Sequence, residues 1–104
     1  MYLAMNRFQV KSDRADAFEK VWRERDSRLT DVPGFVEFKL LKGPIDDEAG
    51  HTLYASHTIW ESREHFEGWT RSAHFRAAHR GAGATAELYV GHPRFEGFEP
   101  VIGG

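Results

Sequence analysis

Cysteine is absent from the chain of 104 residues. That excludes a disulfide framework, a thiolate nucleophile and a zinc–thiolate site, and it agrees with a reducing cytoplasm, the compartment expected here. An excess of basic charge is missing too. Lys and Arg number 14 against 16 Asp and Glu, a formal net charge of −2 at pH 7, so there is no electrostatic footprint for nucleic acid. No apolar run reaches the roughly 20 residues of a membrane-spanning helix, so no membrane partner is expected. The N-terminal MYLAMNRFQV alternates like a strand instead of following the signal-peptide pattern. Internal repeats, a glycine-rich phosphate loop, a serine nucleophile elbow and a carboxylate pair on one apolar face are all lacking. The 40% hydrophobic and 29% charged residues are the composition of one globular domain, 1–104, with a single core.

Aromatic residues, by contrast, are plentiful: 3 Trp and 8 Phe. Such density serves either a tightly packed core or a pocket for something flat, and Trp22 and Trp60 read as core. The most ordered pattern is 54–80, YASHTIWESREHFEGWTRSAHFRAAHR. Leu53 to Trp60 alternates with period two and is rich in β-branched and aromatic residues, a strand signal. Ser62 stands at an N-cap position with Glu64 and His65 in the first turn, and Phe66 and Trp69 share one helical face. Ser72 caps a further helix, in which Phe75, Ala78, His79 and Ala82 form one stripe before Gly81 and Gly83 end it.

Earlier in the chain, Tyr2 to Val10 turns Tyr2, Ala4, Asn6, Phe8 and Val10 towards the helices and Leu3, Met5, Arg7 and Gln9 away from them. Ser12 or Asp13 is expected to cap the first long helix, with Ala15, Phe18, Val21, Trp22, Arg25 and Leu29 as its inward stripe. Val32 to Phe35, VPGF, is a turn. Phe35 to Leu41 is the second strand, and the exposed connection Lys42 to Gly50 makes it a hairpin with the third. Glu87 to Gly91 is read as a short fourth strand, with Leu88 and Val90 on one face, ended by His92-Pro93. The tail, 92–104, carries Phe95, Phe98, Val101 and Ile102 and is expected to pack on a partner subunit. The order β-α-β-β-α-β predicts an α+β, ferredoxin-like antiparallel sheet with helices on one face. The mixed polarity of the other face predicts a homodimer whose two sheets close into an α+β barrel.

Two residues stand out chemically. Asn6 is an amide on an apolar face, where an unmet hydrogen bond costs roughly 1–3 kcal/mol. Either a neighbouring backbone group satisfies it or it is a donor aimed into a pocket. His79 follows the small or flat residues Phe75 and Ala78, so its imidazole has room to approach a large planar ligand. The other reading is a histidine closing a helix C-terminus, where the macrodipole favours a cation. Of the 6 histidines, His74 and His79 are five apart. On a helix that separates them by about 140°, so they do not chelate one ion. His51, His65 and His92 are isolated from one another, which argues against a mononuclear zinc or non-haem iron site.

The strand bearing Asn6, the VPGF turn, and the run from Trp60-Glu61-Ser62 through Trp69, Ser72 and Phe75 to His79 resemble the antibiotic biosynthesis monooxygenase (ABM) superfamily. Within it they resemble the IsdG-type haem-degrading monooxygenases. The resemblance implies a dimeric α+β barrel with one haem per subunit between helices and sheet. It implies His79 as axial iron ligand, Asn6 as distal amide and Trp69 as the ring pressing on the haem face, with Phe75 and Ala78 lining the same pocket. Haem is then cofactor and substrate at once, opened with O2 and an external electron donor, a reductase or small reductant, to a linear tetrapyrrole and free iron. A neutral imidazole is the ordinary protein ligand for such an iron. The Gly-Ala-Gly-Ala segment after His79 is short, which leaves the product open. Arg71, Arg76 and Arg80 are available to the propionates, and spacing does not select among them. The competing readings are a cofactor-free ABM-type monooxygenase acting on an aromatic polyketide or quinol, a non-catalytic haem-binding or trafficking protein, and a module without chemistry.

Overall fold

A computed structural model describes residues 1–25, 29–78 and 86–103, with only the backbone at 74, 77 and 78. The strands are β1 (Tyr2–Lys11), β2 (Phe35–Asp46), β3 (His51–Trp60) and β4 (Tyr89–Phe98), and the helices α1 (Ala15–Glu24), α2 (Arg63–Thr70) and α3 (Ala73–Ala78). The strands form one antiparallel sheet in the order β2-β3-β1-β4. This is the expected α+β, ferredoxin-like arrangement. Among the described residues no helix is long and apolar enough to cross a membrane.

Strand β1 shows why the sheet takes this register. Its odd and even side chains fall on opposite faces, and Tyr2, Ala4, Phe8 and Val10 are buried while Arg7 and Gln9 are exposed. A one-residue slip would expose the whole apolar set, so pairing with β3 runs from Tyr2↔Trp60 to Lys11↔His51 without a shift. The turn before β2 behaves as VPGF predicts. Gly34 adopts φ 82°, and an added Cβ would lie 2.2 Å from the His65 ring, so glycine is needed for conformation and space alike. The start of α2 therefore rests directly on this turn.

Several expectations need correction. Ser12 does not cap α1. It lies in a 3-10 turn, Ser12–Arg14, and its hydroxyl is 3.0 Å from Thr52 Oγ1, while its N–H donates to the Gly50 carbonyl at 3.0 Å. It ties β1 to the β2–β3 hairpin instead. Helix α1 stops at Glu24, and Leu29 belongs to a separate 3-10 turn, Leu29–Asp31, so the inward stripe is not one helix. Strand β2 runs on to Asp46, and the hairpin turn is only 47–50.

The largest correction concerns β4. His92-Pro93 does not end it: pairing continues to Leu3↔Phe98. A bulge makes this possible. Between the pairs Arg7↔Arg94 and Gln9↔Val90, β1 has one residue (Phe8) and β4 has three (Gly91, His92, Pro93). Gly91 supplies φ 69°, and Pro93, lacking an N–H, sits where no ladder bond is required. Tyr89 packs inward beside Leu88, while Val90 is exposed, so Leu88 and Val90 do not share a face.

The core divides in two. Tyr2, Ala4, Leu29, Val32, Trp60 and Trp69 form one cluster, and Phe8, Val10, Phe18 and Tyr54 the other. On the helix-facing side of β1 the residue between them is Asn6.

Candidate active site

A cavity of about 780 Å³ opens at this seam, over the middle of the sheet and between α1 on one side and α2–α3 on the other. That volume lies within the range of roughly 300–1,000 Å³ typical of small-molecule sites. Ala4, Asn6, Ser56 and Thr58 contribute to its floor. Thr58 is committed: its hydroxyl donates to the Ala4 carbonyl at 3.3 Å and accepts from Trp60 Nε1 at 3.0 Å. Asn6 and Ser56 are cross-strand partners, both half-buried. Among the described residues neither side chain has a hydrogen-bond partner. No described backbone group satisfies the Asn6 amide, and the residue lines the cavity.

The wall opposite α1 is built by two serine caps. Ser62 Oγ accepts from the His65 N–H at 3.2 Å and so starts α2. Ser72 Oγ donates to the Trp69 carbonyl at 2.6 Å and accepts from the Phe75 N–H at 3.2 Å, joining the end of α2 to the first turn of α3. This hydroxyl sets the angle between Trp69 and Phe75, whose rings meet edge to face at 4.8 Å and 84°. Trp69 also packs on Trp60 at 5.3 Å and on Phe66 at 6.2 Å. Its indole is held from several sides and still lines the cavity.

The structure thus brings Asn6, Trp69 and Phe75 to one cavity. His79 lies outside the described residues, and so does the side chain of Ala78, whose backbone ends α3. Three further residues line the cavity that the sequence did not assign to a site. Trp22, expected in the core, is only half-buried; it lies parallel to Phe38 at 5.7 Å and lines the cavity. His92 is carried there by the β4 bulge, for which Gly91-His92-Pro93 was the available signal. Arg25, a member of the expected inward stripe, also lines it, with its guanidinium carbon 4.1 Å from the Trp22 centroid.

The model of the antibiotic biosynthesis monooxygenase family matches residues 1–81. The staphylobilin-producing heme oxygenase of Staphylococcus saprophyticus is 31% identical over 85 residues, 82% of this chain and 79% of that protein. The heme-degrader MhuD from Mycobacterium tuberculosis, with two hemes bound in its active site, superposes with a TM-score of 0.69 at 25% identity, covering 100% of this chain and 99% of that one. An MhuD variant with two manganese protoporphyrin IX molecules per active site gives 0.75 at 29% identity, covering 100% of both. SnoaB, a cofactor-independent oxygenase from Streptomyces nogalater, gives 0.70 at 22% identity over 98% of this chain and 94% of that one, a likeness of fold.

Proposed function

The chain belongs to the antibiotic biosynthesis monooxygenase family, and from that premise we propose that it is a haem-degrading monooxygenase, binding one haem per subunit and opening the porphyrin ring with O2 and an external reductant. The cavity carries this reading. It is large, walled by aromatic rings, and polar at one place on its floor, where Asn6 and Ser56 lie side by side. A flat apolar ligand fits such walls, and the relative in S. saprophyticus is a heme oxygenase.

Haem would serve as cofactor and substrate together. The residues of this chain divide the remaining work. His79, which follows α3 in the sequence, would hold the iron as a neutral imidazole. Asn6 would offer its amide N–H to dioxygen, a donor already in place at the cavity floor and so stabilising developing charge without reorganisation. Trp69, fixed by Trp60, Phe66 and Phe75, would press on the macrocycle from a position it cannot easily leave. Phe75 and Ala78 would complete that side, and the surrounding rings would exclude water. The cofactor-free polyketide reading would use the same Asn6 and Trp69.

The protein is also proposed to act as a homodimer through the outer face of the sheet. Leu3, Met5, Leu53 and Ile59 are half-buried there, Phe98 is exposed, and His57 Nδ1 has no hydrogen-bond partner among the described residues. A second copy would cover these groups, and 99–103, where Val101 and Ile102 are almost fully exposed, would reach across. A solution mass of one 11.9 kDa chain would remove this proposal.

The test of function is a visible titration with haemin, then ascorbate under air with catalase present. A saturable Soret band at one haem per chain, lost with the appearance of a linear-tetrapyrrole spectrum, is the expected result. His79→Ala is expected to lose both the band and the turnover. A band that survives reductant points to a carrier, and no saturable band moves the search to phenolic substrates.

A further inference from the structure

On the inner face of the sheet, register sets four residues in one row: Leu40 on β2, Ser56 on β3, Asn6 on β1 and Phe95 on β4. The row on one side is Phe38, Thr58, Ala4 and Gly97, and on the other it runs through Lys42, Tyr54 and Phe8. Two polar side chains thus meet at the centre of a floor that is otherwise largely aromatic and aliphatic. Both line the cavity.

Ser56 and Thr58 are the hydroxyl residues of β3 in that lining, and their surroundings differ. Thr58 is buried, donates to the Ala4 carbonyl and accepts from Trp60 Nε1, so its hydroxyl serves the sheet and the core. Ser56 is half-buried, and no described residue bonds its hydroxyl. An aliphatic residue on this interior strand would bury more apolar surface and leave no polar group to satisfy. Stability of the fold gives no reason for a serine here. Its neighbour does. Cross-strand partners hold their Cβ atoms about 4.5–5.5 Å apart, so the Ser56 hydroxyl and the Asn6 carboxamide can reach the same small group above the floor. Each carries a donor, and neither donor is committed among the described residues.

We propose that Ser56 is a second oxygen-binding residue: its O–H and the Asn6 N–H converge on the small oxygen ligand that shares the cavity with the flat one. The proposal rests on the haem reading, in which that ligand is dioxygen. One donor leaves a bound oxygen free to swing about a single hydrogen bond, whereas two fix its direction. Ser56 lies on the β3 side of Asn6 and Phe95 on the β4 side, so the pair inclines the oxygen towards β3. Ser56 thereby selects which edge of the flat ligand is attacked.

Azide is the probe, because it binds ferric haem iron and accepts hydrogen bonds as an anion. Its dissociation constant is measured on the ferric haemin complexes of wild type, Ser56→Ala, Asn6→Ala and the double variant. Ser56→Ala is expected to weaken azide about tenfold, the effect of losing one hydrogen bond to a charged acceptor, with haemin affinity and melting temperature unchanged. Ser56→Thr keeps the hydroxyl and should restore most of the affinity. The loss from Ser56→Ala should persist in the Asn6→Ala background, because each donor meets the ligand itself. In turnover, Ser56→Ala should alter the ratio of tetrapyrrole isomers. Wild-type azide affinity in Ser56→Ala overturns the proposal and leaves the haem reading intact. A loss that vanishes in the Asn6→Ala background also overturns it, since Ser56 would then act only by positioning the amide. If haemin does not bind wild type saturably, the haem reading fails and this assignment fails with it.

Discussion

Strand β1 has a different neighbour on each side, and the contrast explains where the core ends and the site begins. Towards β3 every residue from Tyr2 to Lys11 is paired in one register. Towards β4 the register breaks between Arg7 and Gln9, and Phe8 alone faces three residues of β4. On the regular flank, side chains alternate as the pleat requires and Trp60, Tyr54 and Thr52 are almost completely buried. On the irregular flank, His92 and Pro93 come to the cavity by local backbone geometry. Complete pairing builds a core, whereas interrupted pairing leaves room to aim residues at a ligand.

The largest effect is expected where the pairing is complete. Trp60 is fully buried and packs against Phe35, Phe66 and Trp69. Trp60→Ala should cost about 3–5 kcal/mol through lost burial and a residual cavity. For a domain of this size that lowers Tm by at least about 12 °C. Thermal unfolding followed by far-ultraviolet circular dichroism checks it, and a loss under 1 kcal/mol would mean that the regular flank is not the stabilising one.

At the seam the balance is expected to invert. Asn6 has no described hydrogen-bond partner to lose, so Asn6→Ala should change stability little and leave haemin affinity within a few-fold. Turnover should fall by about 10²-fold, the usual effect of removing one preorganised donor. Single-turnover decay of the Soret band with ascorbate measures this, and a wild-type rate would remove Asn6 from the reaction.

Glycine tests the irregular flank directly. Gly91 and Gly50 both have positive φ, 69° and 75°, and an added Cβ at either meets nothing within 4 Å. Alanine should therefore cost about 1–2 kcal/mol at each, a purely conformational penalty. The binding consequences should differ. Gly91→Ala disturbs the bulge and should weaken haemin, whereas Gly50→Ala sits in the distant hairpin turn and should not. Equal affinities in the two variants would separate the bulge from the site.

The same contrast governs what could be read from sequence. The four strands, the Ser62 and Ser72 caps, the VPGF turn and the inward face of β1 were legible, because each depends on period or on local turn chemistry. That Asn6, Trp69 and Phe75 line one cavity was implied only by the family resemblance. The continuation of β4 was not legible, since Pro93 looks like a terminator until a bulge places it where no N–H is needed. Trp22 was assigned to the core because helical period shows that a side chain points inward without showing whether anything fills the space. Ser12 matched a cap by type and position, yet Thr52 and Gly50 claim it from across the sheet, a tertiary contact no local pattern contains.

The smallest expected effect asks whether the regular flank also holds α1, and with it Trp22 and Arg25, independently of the bulge. Tyr54 is paired with Phe8, the residue at which β4 loses register, and its hydroxyl donates to Glu19 on α1. That hydrogen bond, helped by Lys42 and Arg23 and opposed by burial, holds the Glu19 carboxyl below its ordinary value of 4.5. Burial first, and then Glu19, push the Tyr54 phenol above its ordinary 10.0. The carboxylate's contribution is therefore complete above pH 4.5 and is lost as pH falls through the lowered value. The phenol's contribution is complete below pH 10.0 and is lost as pH rises beyond it. Glu19→Gln should cost about 1 kcal/mol at pH 7, where the bond is charge-assisted. The exposed Arg23 pair adds little to that. Urea midpoints of wild type and variant should converge on acidification, while haemin affinity at pH 7 stays the same, because Glu19 does not line the cavity. A gap that persisted below pH 3 would show that packing, and not the ionised hydrogen bond, joins α1 to the sheet.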